Sequence, residues 1–322
     1  MRGFLDRAVG VVLHAVLVGV GSLPPRFARE LCAAVASVYA SLAGPRVRDA
    51  RVNLAIAFPE LSQAAREQIL RASFANLGRS FAELCGMHGR HREALFEQVT
   101  IRGEENLRRA AELSRQAGAL VVTAHFGSWE LCAAALAHHG LPVSAVQHGF
   151  KNPHIEKIVT GWREGAGLET LSMGNAALGL FRALARGRYV AVLMDQNAGL
   201  NEGVFAPFFS RPASTRRGPA QIAMTRRTAL VPVFFFRQGT SGNHVARVGT
   251  PLEMDRDENE SLDVLAKNVE RINAVIEAAV REAPEQWIWS HRRFKTQPPG
   301  SPSLYPKRRS ILRSLRHALR GT

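Results

Sequence analysis

Ala119-Leu-Val-Val-Thr-Ala-His-Phe-Gly-Ser-Trp-Glu130 is the stretch from which the fold can be read. Residues 119–123 are a short unbroken apolar run, the composition of a strand buried on both faces, and a helical pattern begins at Trp129 and runs to His138. Working outward, the alternation repeats. Strands are expected over 142–146, 189–194, 230–236 and 244–248, and helices over 176–186, 219–226 and 261–282, the last ending before Pro284. Strand and helix in alternation predict an α/β domain with a largely parallel sheet flanked by helices, whose ligands lie beyond the carboxyl ends of the strands.

Toward the N-terminus the pattern is helical. Residues 44–95 read as a basic helical lead-in, and 27–42 as an apolar helix after Pro24-Pro25. Residues 8–23 are apolar or small apart from His14 and Ser22; a helix of that length reaches ~24 Å, short of the ~30 Å hydrocarbon thickness. A cleavable signal is the competing reading, but no clear A-x-A site follows and a second apolar helix comes straight after, which favours a retained anchor that spans or lies partly in the interface; a buried hairpin stays open. Toward the C-terminus, 297–303 is a Pro-Gly-Ser linker, beyond which Ile311, Leu312, Leu315, Ala318 and Leu319 share one face, with Arg309, Arg313, Arg316 and Arg320 around it. The expected organisation is therefore membrane-associating helices over 1–43, an α/β domain over 44–299 and a basic amphipathic tail helix over 300–322.

The 322-residue chain carries 42 Lys and Arg against 27 Asp and Glu, a formal net charge of +15. With 46% hydrophobic residues it is no disordered chain, and it lacks the several apolar runs of about 20 residues that a polytopic membrane protein needs. No acid follows Glu285, whereas nine cations do, so the excess charge gathers at the C-terminal end. That asymmetry points to an anionic partner, nucleic acid or an acidic lipid surface. Cys32, Cys85 and Cys132 are odd in number and widely spaced, which fits core residues in a reducing compartment and offers no disulfide framework.

Of the 11 histidines, His125 stands where a strand end would expose it. If the helix starts near Gly127, Glu130 lies in its first turn and folds back toward His125, where a carboxylate on Nδ1 would leave Nε2 as a base for a hydroxyl proton. The same glutamate is equally half of an ordinary capping box. Other chemistries lack their motifs: no G-x-S-x-G, no H-E-x-x-H, no paired C-x-x-C and no P-loop, so no metal is expected. Asp195-Gln196-Asn197 ends a predicted strand. The stretch 210–218, with Thr215, Arg217 and free N–H groups before a helix, is either a phosphate or carboxylate site or a solvated loop. Trp287 and Trp289, beside Arg292, Arg293 and Lys295, suggest an interfacial aromatic belt or a base-stacking edge.

Taken together, His-Phe-Gly-Ser-Trp-Glu (125–130), Asp-Gln-Asn (195–197), Gly-Val-Phe-Ala-Pro-Phe-Phe (203–209) with Pro-Ala-Ser-Thr (212–215), and Gln-Trp-Ile-Trp-Ser-His-Arg-Arg-Phe-Lys (286–295) resemble the bacterial lipid A late acyltransferase family, within the wider glycerolipid acyltransferase group marked by H-x4-[DE]. The resemblance implies an enzyme on the cytoplasmic face of the bacterial inner membrane that moves a fatty acyl chain from acyl carrier protein, or coenzyme A, onto a hydroxyl of a lipid A precursor or related anionic glycolipid. It implies no cofactor and no nucleic acid; the thioester is the co-substrate. By resemblance His125 is the base, Glu130 its orienting partner and Arg163 a substrate or oxyanion contact. Asp195 and Gln196 would shape the site, and Thr215, Arg217, Arg292 and Arg293 would contact phosphate groups. The stretch 147–153 departs from the family's usual arginine-containing pattern. Two alternatives stay open: a glycerophospholipid or other glycolipid acyltransferase with the same dyad, and a non-enzymatic basic protein that binds membrane or nucleic acid.

Overall fold

The computed structural model describes residues 2–42, 44–115, 117–147, 152–172, 176–257, 259 and 261–306. The expected tail helix lies outside the described residues. Five helices come first, α1 (Arg2–Ser22), α2 (Pro25–Ser41), α3 (Pro45–Ala57), α4 (Gln63–Gly86) and α5 (Arg92–Glu97). The α/β part follows as β1 (Val99–Arg102), α6 (Glu104–Leu113), β2 (Ala119–Thr123), α7 (Trp129–His138), β3 (Val143–Gln147), α8 (Pro153–Gly165), β4 (Glu169–Ser172), α9 (Ala176–Ala185) and β5 (Tyr189–Leu193). It continues with β6 (Gly203–Phe208), β7 (Arg211–Arg216), α10 (Gly218–Arg226), β8 (Leu230–Arg237), β9 (His244–Val248) and α11 (Leu262–Glu282).

Seven strands form one sheet in the order β1-β9-β8-β2-β5-β3-β4, parallel at every pairing except β8 with β9. The expected α/β fold with a mostly parallel sheet is what the chain adopts. Strands β1 and β4, four residues each, carry too short a pattern to be read in advance. Strand β2 is buried along its whole length, which is why it reads as an unbroken apolar run. Two apolar cores lie on the two sides of the sheet: one around Leu120, Val122, Phe126 and Trp287 against α3, α4 and α11, the other around Val121, Leu131, Val143 and Phe235 against α6 and α7.

Two expectations need correction. Within the stretch 210–218, residues 211–216 form strand β7 of an antiparallel hairpin with β6 (203–208), so it is not the open loop expected before the helix. Phe209 and Ser210 turn the hairpin with positive φ, 48° and 58°. At the N-terminus, no helix among the described residues is long and apolar enough to cross a membrane, which removes the spanning-anchor reading for α1. Helices α1 and α2 instead pack on α4 and leave apolar residues exposed, among them Val11, Val12 and Val18 on α1 and Phe27, Val35 and Val38 on α2. The contact of α2 with α4 is backbone-close at Gly78, where a Cβ would fall 2.3 Å from the Cys32 carbonyl oxygen.

Candidate active site

Strands β2 and β5 are hydrogen-bonded neighbours with Thr123 opposite Leu193. Two residues beyond each strand end, that register brings His125 and Asp195 face to face. Asp195 is buried, and both of its oxygens are used: Oδ1 accepts from His125 Nδ1 at 2.9 Å, while Oδ2 accepts from the His125 backbone N–H at 3.1 Å and from Trp287 Nε1 at 2.8 Å. The imidazole ring meets Trp129 edge-on with centroids 5.3 Å apart, and Gln196 Nε2 lies 3.2 Å from His125 Nε2. Nδ1 is thereby the tethered nitrogen and Nε2 the one presented to the site.

The turn that carries His125 is held from three directions. The Gly127 N–H donates to the Gln286 carbonyl at 2.9 Å, Ser80 Oγ donates to the Gly127 carbonyl at 2.9 Å, and the Ile288 N–H donates to the His125 carbonyl at 3.2 Å. Gly127 has φ +61°, and a Cβ there would sit 1.7 Å from the Phe235 carbonyl oxygen, so no other residue fits. Burial by itself would depress the His125 pKa; the charge and hydrogen bond of Asp195, with the charge of Glu130, outweigh it and the net shift is upward. The reverse holds for Asp195: burial would raise it, but His125 and the Trp287 indole hold its carboxyl below the usual range. His291, pushed down to about 4 mainly by burial, accepts from the Asn197 backbone N–H through Nε2 at 3.0 Å and is a neutral structural imidazole.

The expected partnership of His125 with Glu130 is not the one observed. Glu130 instead forms a two-pronged ion pair with Arg163 of α8, one prong at 2.9 Å, and Arg163 also donates to the Gln147 carbonyl oxygen Oε1 at the end of β3. The physical reason is competition: a guanidinium matches both carboxylate oxygens at once, whereas the imidazole Nδ1 is already bound by a buried aspartate on the adjacent strand. Glu130 acts on His125 through charge across the site, not by hydrogen bond.

The remaining candidates divide. Thr215 and Arg293 are both fully buried and joined to Asn273, with Arg293 also donating to the Ser214 carbonyl at 2.9 Å and lying 4.8 Å from the Phe208 ring. They brace the hairpin on α11 and are closed to a phosphate. Arg292 pairs with Asp49 of α3 at 2.9 Å and donates to the Pro306 carbonyl. Arg217 is half-buried at the start of α10. Trp287 and Trp289 are buried, 4.6 Å apart and edge to face, so they are core residues and neither a membrane belt nor a stacking edge. Trp287 is a site residue that the sequence reading missed. The signal was the Trp-Ile-Trp alternation, which places both indoles on one side of an extended segment.

Beside the Glu130–Arg163 pair an apolar slot opens between the sheet and helix α7. Thr123, Gln147 and Leu193, at the carboxyl ends of their strands, line it with Trp129, and Ala133, Leu136 and Tyr189 line it farther along α7 and β5. A base, a buried carboxylate that orients it, a fixed cation and an apolar slot together can deprotonate a hydroxyl beside the head of a long apolar substrate.

Similarity agrees with that chemistry. The family described as bacterial lipid A biosynthesis acyltransferase matches residues 5–296. The chain is 30% identical over 261 residues to the lipid A biosynthesis palmitoleoyltransferase of Escherichia coli (strain K12), covering 80% of this chain and 81% of that one. It is 28% identical over 297 residues to the lauroyltransferase of the same organism (91% and 89% covered) and 24% identical over 296 residues to its myristoyltransferase (91% and 89%). The chain belongs to the bacterial lipid A biosynthesis acyltransferase family and is an acyltransferase.

Proposed function

We propose that this acyltransferase moves a fatty acyl chain from an acyl carrier protein thioester onto a hydroxyl of a lipid A precursor, with His125 as the general base. The observation that carries this reading is the 2.9 Å bond from His125 Nδ1 to the buried Asp195, which fixes the tautomer and leaves Nε2 as the proton acceptor. In the proposed step Nε2 takes the acceptor's O–H proton as the oxygen attacks the thioester carbonyl. The tetrahedral oxyanion forms beside the Arg163 guanidinium. Collapse breaks the C–S bond, and the imidazolium returns its proton to the leaving thiolate. A thioester is already activated, so no covalent enzyme intermediate is required. Asp195 orients the base, Gln196 gives up its contact with Nε2 when the acceptor hydroxyl arrives, and Glu130 holds Arg163 at the mouth of the slot.

The exposed valines of α1 and the Phe27–Val38 row of α2 support peripheral binding to a bilayer, which brings a lipid acceptor to the site without a spanning helix. By resemblance that bilayer is the bacterial inner membrane, entered from the cytoplasmic face. The test is mass spectrometry of a lipid A precursor incubated with the purified protein and either acyl carrier protein or coenzyme A thioesters. A gain of one acyl chain from the carrier protein thioester, lost in His125→Ala, is the expected result. Equal rates from both thioesters would remove the carrier preference, and a His125-dependent gain only on glycerophospholipids would replace the acceptor.

A further inference from the structure

The relatives named above transfer palmitoleoyl, lauroyl and myristoyl chains, so their names leave the length of the chain transferred here open. The slot beside the catalytic residues has a depth, and its lining is layered by strand register. At the mouth, Thr123 of β2 stands opposite Leu193 of β5. One pleat deeper, Val121 is opposite Ala191, which in turn is opposite Ala145 of β3. Another pleat deeper, Tyr189 is opposite Val143. Alternate residues of a strand share a face, so each layer lies two residues below the one above it.

The middle layer is built of small side chains. Ala191 and Ala145 from the sheet meet Ala133 of α7, one helical turn below Glu130, and all three are partly exposed although their chain neighbours Ala134, Ser144 and Val190 are buried. Their exposure is to the slot. Below them the side chains grow again: Tyr189 and Val143 from the sheet meet Leu136 from α7 and Leu168 from the segment before β4. From Leu193 to Tyr189 is four residues, ~13 Å at about 3.3 Å each. An extended backbone covers about 1.2 Å per bond, so that depth accommodates about eleven bonds of an extended acyl chain.

We infer that this slot measures the donor acyl chain, with Ala133, Ala145 and Ala191 giving it passage and Tyr189 as the floor that stops it at about eleven bonds, close to dodecanoyl. The inference rests on the acyltransferase reading of the site. Length selection follows because a methylene beyond the floor must displace packed side chains, whereas a missing one leaves part of the slot unfilled. In an apolar pocket a single methylene is worth about tenfold or more in specificity.

Two measurements test this. The first is competition among carrier-protein thioesters from octanoyl to octadecanoyl, reading the mass added to the lipid. The second is native mass spectrometry of the full chain with the corresponding free fatty acids, which reads the slot without turnover. Wild type should favour a chain near dodecanoyl in both. Tyr189→Ala should move the preferred length upward by two or more carbons, and Ala191→Leu should move it downward by at least as much. Ala133→Leu repeats the plug from another element in case Ala191→Leu disturbs the sheet; folding of each variant is checked by its melting temperature. Preference unchanged in Tyr189→Ala and in both plugged variants overturns the inference, as does length-independent fatty-acid binding. Graded fatty-acid binding that shifts with the variants, but no transfer from any thioester, would uphold the slot and sink the acyltransferase reading instead.

Discussion

A half-buried histidine and a fully buried one each touch a carboxylate in this protein, and they are tuned in opposite directions. At the ends of β2 and β5, His125 faces Asp195, and its pKa is raised because the carboxylates Asp195 and Glu130 outweigh the cost of burial. Behind the sheet, His244 of β9 lies 3.2 Å from Glu83 of α4, yet its pKa is lowered: burial leads, and the guanidinium groups of Arg237 and Arg29 oppose a second positive charge. The Glu83 carboxylate is already claimed by Arg237, which also bonds Asn76 at 2.8 Å and Ser80 at 3.1 Å. The contrast sets the His–carboxylate pair proposed to be reactive beside a structural one. Asp195, hydrogen-bonded to His125 and an indole and to no guanidinium, raises the basicity of its imidazole on balance; Glu83, bound by Arg237, serves as a charge-balanced strut. The two clusters are linked, because Ser80 accepts from Arg237 and donates to the Gly127 carbonyl in the turn that carries His125.

The comparison can be broken most forcefully at the proposed base. His125→Ala should lower kcat/KM about ten-thousand-fold, ~5.5 kcal/mol of transition-state stabilisation, while the melting temperature changes little. Activity within tenfold of wild type would remove His125 from the chemistry. Asp195→Asn should cost about a thousandfold, since the amide cannot stabilise the imidazolium or enforce the tautomer. Glu83→Gln should act on the other cluster and in the other currency, destabilising the fold by about 3 kcal/mol or more because it leaves Arg237 buried without its counter-charge. Chemical denaturation reads this, and a large kcat loss in the still-folded fraction would show that the strut reaches the base.

Smaller effects sharpen the contrast through pH. A base must be neutral, so the acid limb of kcat/KM should fall around a midpoint above 6.5, the ordinary histidine value, and Asp195→Asn should move that midpoint down. For stability the signs differ between the clusters. The raised pKa of His125 contributes stability that is complete below 6.5 and is lost as pH rises through its folded value. The Glu83 carboxyl, held down to about 2 from 4.5, contributes stability that is complete above 4.5 and lost as pH falls toward 2. Urea titrations at stepped pH should show a shallower acid-side slope in Glu83→Gln than in wild type, the remainder coming from Asp195 and the other depressed carboxyls. Arg163→Lys, which keeps the charge but loses the fork on Glu130, should cost about tenfold or more in kcat/KM.

Much of this was written in local sequence. The run 119–123 is apolar at every position because both faces of β2 are covered, and the strands at 189, 230 and 244 and the long helix before Pro284 are set by periodicity that neighbours along the chain decide among themselves. His125 was legible for the same reason: a histidine directly after a buried strand lies at a carboxyl end. Its partner was not. Glu130 is near in sequence, but which carboxylate holds the imidazole depends on which strand lies beside β2, and that neighbour is β5, 70 residues on, with β3 displaced one place outward. Strand order and register are long-range choices made by the packing of whole layers, and no local pattern encodes them. The same reason explains Trp287 and Arg293, whose aromatic and basic character suggests a surface. Only the closure of the C-terminal segment over the sheet buries them, one as the indole that fixes Asp195, the other as a brace for the hairpin.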